Sequence, residues 1–265
     1  MQLEILEYLP HNHPWKNYIH WFDTIGSTND TARQMAAAGA PSGTSVLAGL
    51  QTNGHGRSGR SFCSPAGMGV YLSCILRPNC QPTQLMHLTC AAAVAAAEAV
   101  QDTSGILPGI KWTNDLVIGK HKLGGILTSL QIDPATGLVS SAIIGIGINC
   151  LQKEADFPPE IRDIACSISM HSKKADPAAL AAALICRLEA MDKTLLTDKG
   201  AIMDAYRTNC ITLGREVSWQ AGDTLLHGTA MDLDDDGGLI LHLPDGSIQT
   251  AAFGEVSIRG MYGYL

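Results

Sequence analysis

What the 265-residue sequence lacks narrows its chemistry first. It has no excess of positive charge: 18 Lys and Arg stand against 25 Asp and Glu, a net charge of −7. Contact along a phosphate backbone needs a basic face, so nucleic-acid binding is not expected as the main function. None of the eight cysteines forms a Cys-x-x-Cys pair or has a histidine at zinc-finger spacing, which removes the usual structural zinc site. Several, such as Cys74 and Cys90, lie in apolar runs and read as buried, reduced thiols of a cytoplasmic protein. The N-terminus has neither the basic start nor the apolar run of a secretory signal. The longest low-polarity stretch, residues 90–97, is far too short to span a bilayer, so no membrane partner is expected. No Ser-His-Asp arrangement is readable and no cysteine lies beside an evident activating group, which argues against covalent catalysis by the enzyme. What is present is an apolar fraction of 46%, enough for one large domain and a small one.

Periodicity and turn signals divide the chain. Strands are expected at 19–22, 44–50, 70–76, 110–112, 116–118, 126–131 and 141–148, with Gly119 to Lys122 turning between two of them. Ser27 to Asp30 offers a helix cap before a helix over 31–38, closed by Gly39. An alanine-rich helix over 83–101 suits close packing on a sheet. Residues 151–175 are polar and proline-broken and read as loops with short helical turns. Asp176-Pro177 then opens a helix running to residue 196, and another covers 201–209. After residue 213 the pattern changes to short strands at 217–219, 224–230, 239–243 and 248–252. Their turn signals, Gly222-Asp223, Asp236-Gly237-Gly238 and Asp245-Gly246, are spaced for hairpins. The division expected is a domain over 1–212 and an all-β module over 213–265, of SH3-like barrel size.

The most informative segment is Gly54-His55-Gly56-Arg57-Ser58-Gly59-Arg60. Glycines free the backbone to close around a ligand, and arginines bring permanent charge in a planar fork suited to phosphate or carboxylate. The segment matches the dinucleotide fingerprint G-x-G-x-x-G literally, but a poor helix start follows it and no acid lies near position 79. It resembles a P-loop only with Arg60 in place of lysine and, again, no helix. A mobile loop wrapping a small anion is the better reading, with a solvated surface loop as the alternative. His55 is expected to be exposed and to contribute mainly backbone.

Three further clusters carry polar groups beside glycines or strand ends. Lys111-Trp112-Thr113-Asn114-Asp115-Leu116 sets a lysine, an amide and a carboxylate at a strand end. Asp115 is a candidate magnesium ligand, directly or through water, although an Asx-type turn would use the same residues. Lys122-Leu123-Gly124-Gly125 places a lysine where backbone permits close approach, suited to neutralising charge on a phosphate; a solvated hairpin lysine is the alternative. Gly145-Ile146-Gly147-Ile148-Asn149 leaves room for a ligand against a sheet, or marks a bulge.

In this order, Ser27-Thr28-Asn29, Gln51 with Gly54 to Arg60, Lys111 to Leu116 with Lys122 to Leu127, and Gly147-Ile148-Asn149 resemble the motifs of the biotin protein ligases. The resemblance spans about residues 20–260. It implies an α+β fold: a mixed-sheet catalytic domain followed by an SH3-like β-barrel. It also implies a two-step reaction. Biotin and Mg-ATP give biotinyl-5′-AMP, and the biotinyl group then passes to a lysine of a biotin carboxyl carrier protein domain. Lys122, Arg57 and Asp115 are the catalytic candidates on this reading, with Lys122 by the biotin carboxyl. Biotin falls to Ser27, Thr28, Asn29, Gln51, Gly54, His55, Gly56, Arg57, Lys122, Gly125 and Gly145. ATP falls to Arg57, Arg60, Lys111, Trp112, Asn114, Asp115 and Asn149, and Mg2+ to Asp115. The chain departs from the motif at His55, Phe62 and Thr113, where many members have arginine, tryptophan and proline. Members that repress transcription carry an N-terminal helix-turn-helix. The roughly twenty residues before the first strand are too few for one, so no DNA binding is expected. A homodimer is compatible with the sequence without being specified by it. A lipoate-protein ligase and a non-catalytic biotin-binding regulator are the competing readings. Donors and acceptors suited to a ureido ring favour biotin over a dithiolane, and retention of Lys111, Asp115 and Lys122 favours an enzyme.

Overall fold

The computed structural model describes residues 1–221, 224–252 and 256–258. Its framework is a seven-stranded sheet in the order β1-β2-β3-β7-β6-β5-β4. The strands are β1 (Ile19–Ile25), β2 (Ser45–Gln51), β3 (Gly69–Leu76), β4 (Gly109–Lys111), β5 (Asp115–Ile118), β6 (His121–Ile132) and β7 (Val139–Asn149). β1 and β2 are parallel, as a strand–helix–strand crossover requires, and the crossover helix is α2 (Thr28–Ala37). All other neighbours are antiparallel.

Strand alternation gives the sheet two apolar faces. Leu47, Cys74 and Ile144 face the large core, and their neighbours Val46, Ile75 and Ile143 pack with Ala32 and Ala36 of α2 on the other side. The large core is filled by α3 (Leu88–Ser104), α4 (Pro177–Thr194) and α5 (Lys199–Asn209). α3 is buried along almost its whole surface by alanines, Ala91 to Ala93, Ala95 to Ala97 and Ala99 among them. Small side chains let it approach the sheet and two helices at once. α1 (Gln2–Tyr8), which no sequence pattern announced, packs on α4 through the fully buried Ile5. Asp176 caps α4 by accepting from the Ala178 and Ala179 amides, satisfying two otherwise orphaned donors.

The chain then forms a five-stranded antiparallel sheet in the order β11-β10-β9-β8-β12, the SH3-like module expected from the strand spacing. Its strands are β8 (Glu216–Ala221), β9 (Thr224–Leu233), β10 (Leu239–His242), β11 (Ile248–Ala251) and β12 (Val256–Ile258). The Gly222-Asp223 turn lies outside the described residues. The β9–β10 turn is docked rather than free. Gly237 takes φ +89° and lies so near Cys90 that an added Cβ would fall 2.7 Å from its Sγ, and Gly237 O accepts the Trp112 indole N–H at 2.8 Å.

Several boundaries differ from the sequence reading. The helix after β1 begins at Thr28, so Thr28 to Asp30 form its first turn; Ser27 is the N-cap by position, but its side chain makes no cap bond. Residues 83–87 do not belong to α3, because Pro82–Leu85 is a separate 3-10 turn. His121 and Lys122 already lie in β6, so only Gly119 and Lys120 turn. β12 was missed, being three residues long. No α-helix follows the glycine-arginine loop; a single 3-10 turn, Arg57–Gly59, leads on toward β3, which agrees with rejecting the dinucleotide and P-loop readings.

Candidate functional site

The register of the sheet builds the site. Tyr71, Gly147, Gly125, Asp115 and Lys111 are successive cross-strand partners on β3, β7, β6, β5 and β4. In the next row Ser73, Gly145 and Leu127 stand side by side. On β7, residues 143, 145, 147 and 149 share one face. Ile143 is covered by α2, but at 145 and 147 there is no side chain, and the floor of a cavity of about 330 Å³ opens there. A Cβ at Gly145 would lie 2.3 Å from Asn29 Nδ2, and one at Gly147 would lie 2.6 Å from the Phe62 ring. The two glycines therefore allow Asn29 of α2 and the Phe62 ring to come down onto bare backbone.

The roof is the glycine-arginine loop. Its base is tied to the end of β1, just before α2: Thr52 N donates to Ile25 O and Asn53 N to Gly26 O. Phe62 N donates to Gly54 O and Gly56 N to Arg60 O, which makes the loop a small hairpin. At its tip Arg57 Nη1 donates to Thr113 Oγ1 at 2.8 Å and to Asn114 Oδ1 at 2.9 Å, some 56 residues away in the chain. His55 is not exposed as expected. It is half-buried, with Nε2 2.7 Å from Asp30 Oδ2.

One end of the cavity is a polar network. Gln51 Oε1 accepts from the Thr28 amide and hydroxyl at 2.8 and 3.0 Å, and Gln51 Nε2 donates to Ser64 Oγ. Ser73 Oγ lies 2.8 Å from Thr28 Oγ1 and 3.1 Å from Asn29 Oδ1. Lys122 Nζ donates to Asp115 Oδ1 at 2.6 Å within the same cavity. Asn114 is fixed by β6, its Nδ2 donating to Ile126 O while its carbonyl accepts the Ile126 amide. Asn149 is held by Gln152 and by Cys166 O. Among the described residues, the Lys, Arg, Asp and Glu side chains lining the cavity are Arg57, Arg60, Lys111, Lys122 and one carboxylate, Asp115. In a chain of net charge −7, this local positive excess suits an anionic ligand.

All the residues assigned from the sequence to biotin, ATP or magnesium line this cavity except Ser27 and Gly54. Ser27 is not among the lining residues, and its Oγ is buried with no hydrogen-bond partner among the described residues. Gly54 is packed beneath the loop, where a Cβ would meet Phe62 O at 2.6 Å. Three parts of the lining were not foreseen: Ser61 to Cys63, the 157–165 segment and Val256 of the second sheet. Phe157, Ile161 and Ile164 form an apolar wall, and Lys122 N donates to Ile164 O while Cys166 N donates to Lys122 O. Their helical spacing was a usable signal inside an otherwise polar stretch. Burial pushes the Cys63 thiol up, so it is protonated and inert at neutral pH. Among the described residues no group of three His, Cys, Asp or Glu could hold a metal ion, and no helix is long and apolar enough to cross a membrane.

Residues 21–149 match the biotin/lipoate A/B protein ligase family, and residues 212–259 match the biotin protein ligase C-terminal domain. The bifunctional ligase/repressor BirA of Bacillus spizizenii is 36% identical over 226 residues, spanning 84% of this chain and 69% of its own. The biotin--[acetyl-CoA-carboxylase] ligase of Mycobacterium tuberculosis is 29% identical over 240 residues, 88% of this chain and 86% of its own. A biotin protein ligase from Aquifex aeolicus, solved with biotin and ATP, superimposes with a TM-score of 0.73 at 26% identity and covers 91% of this chain and 98% of its own.

Proposed function

This chain belongs to the biotin protein ligase family, and from that premise we propose how its cavity joins biotin to ATP and passes the biotinyl group to a protein lysine. The enzyme is an ATP-dependent biotin ligase, and biotin and ATP are its substrates. A biotin carboxylate oxygen attacks the α-phosphorus of ATP and the bond to pyrophosphate breaks, leaving biotinyl-5′-AMP. The ε-amine of a lysine on a carrier domain of a biotin-dependent carboxylase then attacks the acyl carbon. The bond to AMP breaks, AMP leaves with the electron pair, and the amine loses a proton.

The observation that carries the reading is that Lys122 and Arg57, from separate segments, line one cavity with Asp115 bonded to the lysine. Two anions must meet in the first step, and fixed cations where their charges crowd lower that barrier. Lys122 takes the biotin carboxylate, with Asp115 holding its amine in place beforehand. Arg57 and Lys111 take phosphate oxygens, and Asn114 and Asn149 take phosphate or ribose. Thr28, Asn29 and Gln51 present donors and acceptors to the ureido ring. The unpartnered Ser27 Oγ is a further group that a ring donor or acceptor satisfies, since a buried polar atom without a partner is costly. The apolar wall of Phe157, Ile161 and Ile164 suits the nucleotide base. The closed loop keeps water from the acyl-adenylate, a reactive mixed anhydride.

Magnesium fits as a companion of ATP rather than as a resident ion. It is commonly held by one or two carboxylates plus substrate phosphates, and among the described residues Asp115 is the carboxylate that lines the cavity. Bound there it would neutralise phosphate charge. A cytoplasmic location follows from the substrates, ATP and a carboxylase carrier.

The test is ATP–pyrophosphate exchange with biotin, lipoate and octanoate, followed by transfer to a carrier fragment. Exchange with biotin alone, then labelling of the carrier lysine, is expected. Exchange driven equally by lipoate would shift the reading to a lipoate ligase, and tight biotin binding without exchange would make the protein a regulator.

A further inference from the structure

The loop over the cavity has a second tether, on the side away from Arg57. Three glycines, at 54, 56 and 59, punctuate it, and Gly59 adopts φ +73°, so its backbone alone imposes little stiffness beyond the hairpin base. Arg57 fastens the tip to residues 113 and 114, the turn between β4 and β5. His55 lies between the first two glycines and reaches the opposite side, the first turn of α2. There the two oxygens of Asp30 are divided. Oδ1 accepts from Arg33 Nη1 at 2.7 Å, one turn along the same helix, and Oδ2 lies 2.7 Å from His55 Nε2. Arg33 thus fixes the carboxylate in the orientation that presents its second oxygen to the loop.

We propose that Asp30 is a positioning residue for the cavity roof: acting through His55, it holds the loop against the biotin end while Arg57 holds it at the nucleotide end. An acid in the first turn of a helix needs no such partner, since the helix dipole alone favours it. What points further is the side it occupies. Asp30 follows directly on Thr28 and Asn29, which line the polar end of the cavity, and His55 lines the same cavity from above. The His55–Asp30 contact therefore sets the height of the roof over the ring of the bound acid. It does so without either side chain taking part in the chemistry. Loops covering reactive intermediates depend on such tethers to stay closed.

This rests on the biotin and ATP reading of the cavity, and the two are separable. The variants Asp30→Ala, His55→Ala and the double variant are measured for KM of biotin, KM of ATP and the release rate of preformed adenylate, with the thermal midpoint as a fold control. The contact is partly exposed and involves a carboxylate, so its coupling is at the upper end of surface pairs. The expected result is a rise of about three- to fivefold in KM for biotin and in adenylate release. KM for ATP should stay within the error of the parent, and the double variant should be no worse than the worse single one, because both remove the same contact. Asp30→Asn, which keeps an acceptor for His55, should recover part of the loss. Multiplying effects in the double variant, or equal rises in both KM values, would overturn the proposal, as would single variants indistinguishable from the parent. Absence of biotin-dependent adenylate in the unmodified protein would instead sink the functional reading itself.

Discussion

Arg57→Ala is the sharpest test of how the roof is held. The guanidinium makes two donations from Nη1, at 2.8 Å to Thr113 and 2.9 Å to Asn114. A hydrogen bond from a charged donor contributes about 1.5–3 kcal/mol. The side chain is only half-buried and one nitrogen serves both acceptors, so roughly 2–3 kcal/mol for the pair is a fair sum. If that energy closes the loop over the intermediate, its loss speeds adenylate release by about 30- to 140-fold, at about 1.4 kcal/mol per factor of ten. The loop lies outside both apolar clusters, so global stability should change by no more than about 0.5 kcal/mol. The assay preforms labelled biotinyl-AMP on the enzyme, dilutes it into excess unlabelled biotin and ATP, and follows release with no carrier present. A release rate within twofold of the parent, with the fold intact, would refute the clamp. A large fall in thermal midpoint would show instead that Arg57 serves the fold.

Lys122→Ala leaves the Asp115 carboxylate facing incoming anions and should slow adenylate formation by about 10² or more; near-normal single-turnover formation would remove Lys122 from its role. Gly145→Ala puts a methyl 2.3 Å from Asn29 Nδ2, forcing that side chain off its contact with Ser73. Overpacking of this kind costs about 1–3 kcal/mol, so both the thermal midpoint and biotin affinity should fall, and a variant with parental values for both would contradict the packing argument. His87 is buried and bonded through Nε2 to Leu195 O, with no partner for Nδ1 among the described residues. Burial lowers its pKa, partly opposed by the Leu195 carbonyl. The unfolded chain takes up the proton near the ordinary value of about 6.5 while the native state resists it. This contribution is therefore full above that pH and is lost as pH falls toward the lower native value. His87→Gln, which keeps a donor for Leu195, should show a flatter fall in urea midpoint between pH 7.5 and 5.5; parallel curves would rule His87 out.

The chain announces its own site more clearly than its own framework. Ser27-Thr28-Asn29, the glycine-arginine loop and the lysine and glycine clusters are recognisable because close backbone approach and charge near a ligand demand particular residue types. What the motifs do not state is their register. The line from Gly147 through Gly125 and Asp115 to Lys111 exists only after four strands have paired, and strand order is not a local property. The polar ends of helices were misjudged for a related reason. Thr28 to Asp30 have cap-like side chains, yet those side chains are drawn off to Gln51, Ser73 and His55, leaving the backbone free to start its helix earlier. α1 is too short for periodicity to show, and its single buried anchor, Ile5, acquires meaning only against α4. Phe157, Ile161 and Ile164 were obscured by the prolines and charges around them, although their spacing was present.

Because the floor of the cavity is backbone at positions 125, 145 and 147, its depth cannot adjust by a change of rotamer. The three positions are also unequal. A methyl at 145 would collide with Asn29 of α2 at 2.3 Å and one at 147 with the Phe62 ring at 2.6 Å, whereas at 125 its nearest neighbours would be 3.5 Å away, at Asp115 and Lys122. Anyone re-cutting this enzyme for a slimmer acid has one tile to replace without displacing what lies above the floor, and it lies beside Lys122 and Asp115. An inhibitor pressed flat against that floor would correspondingly leave the protein few single substitutions with which to escape.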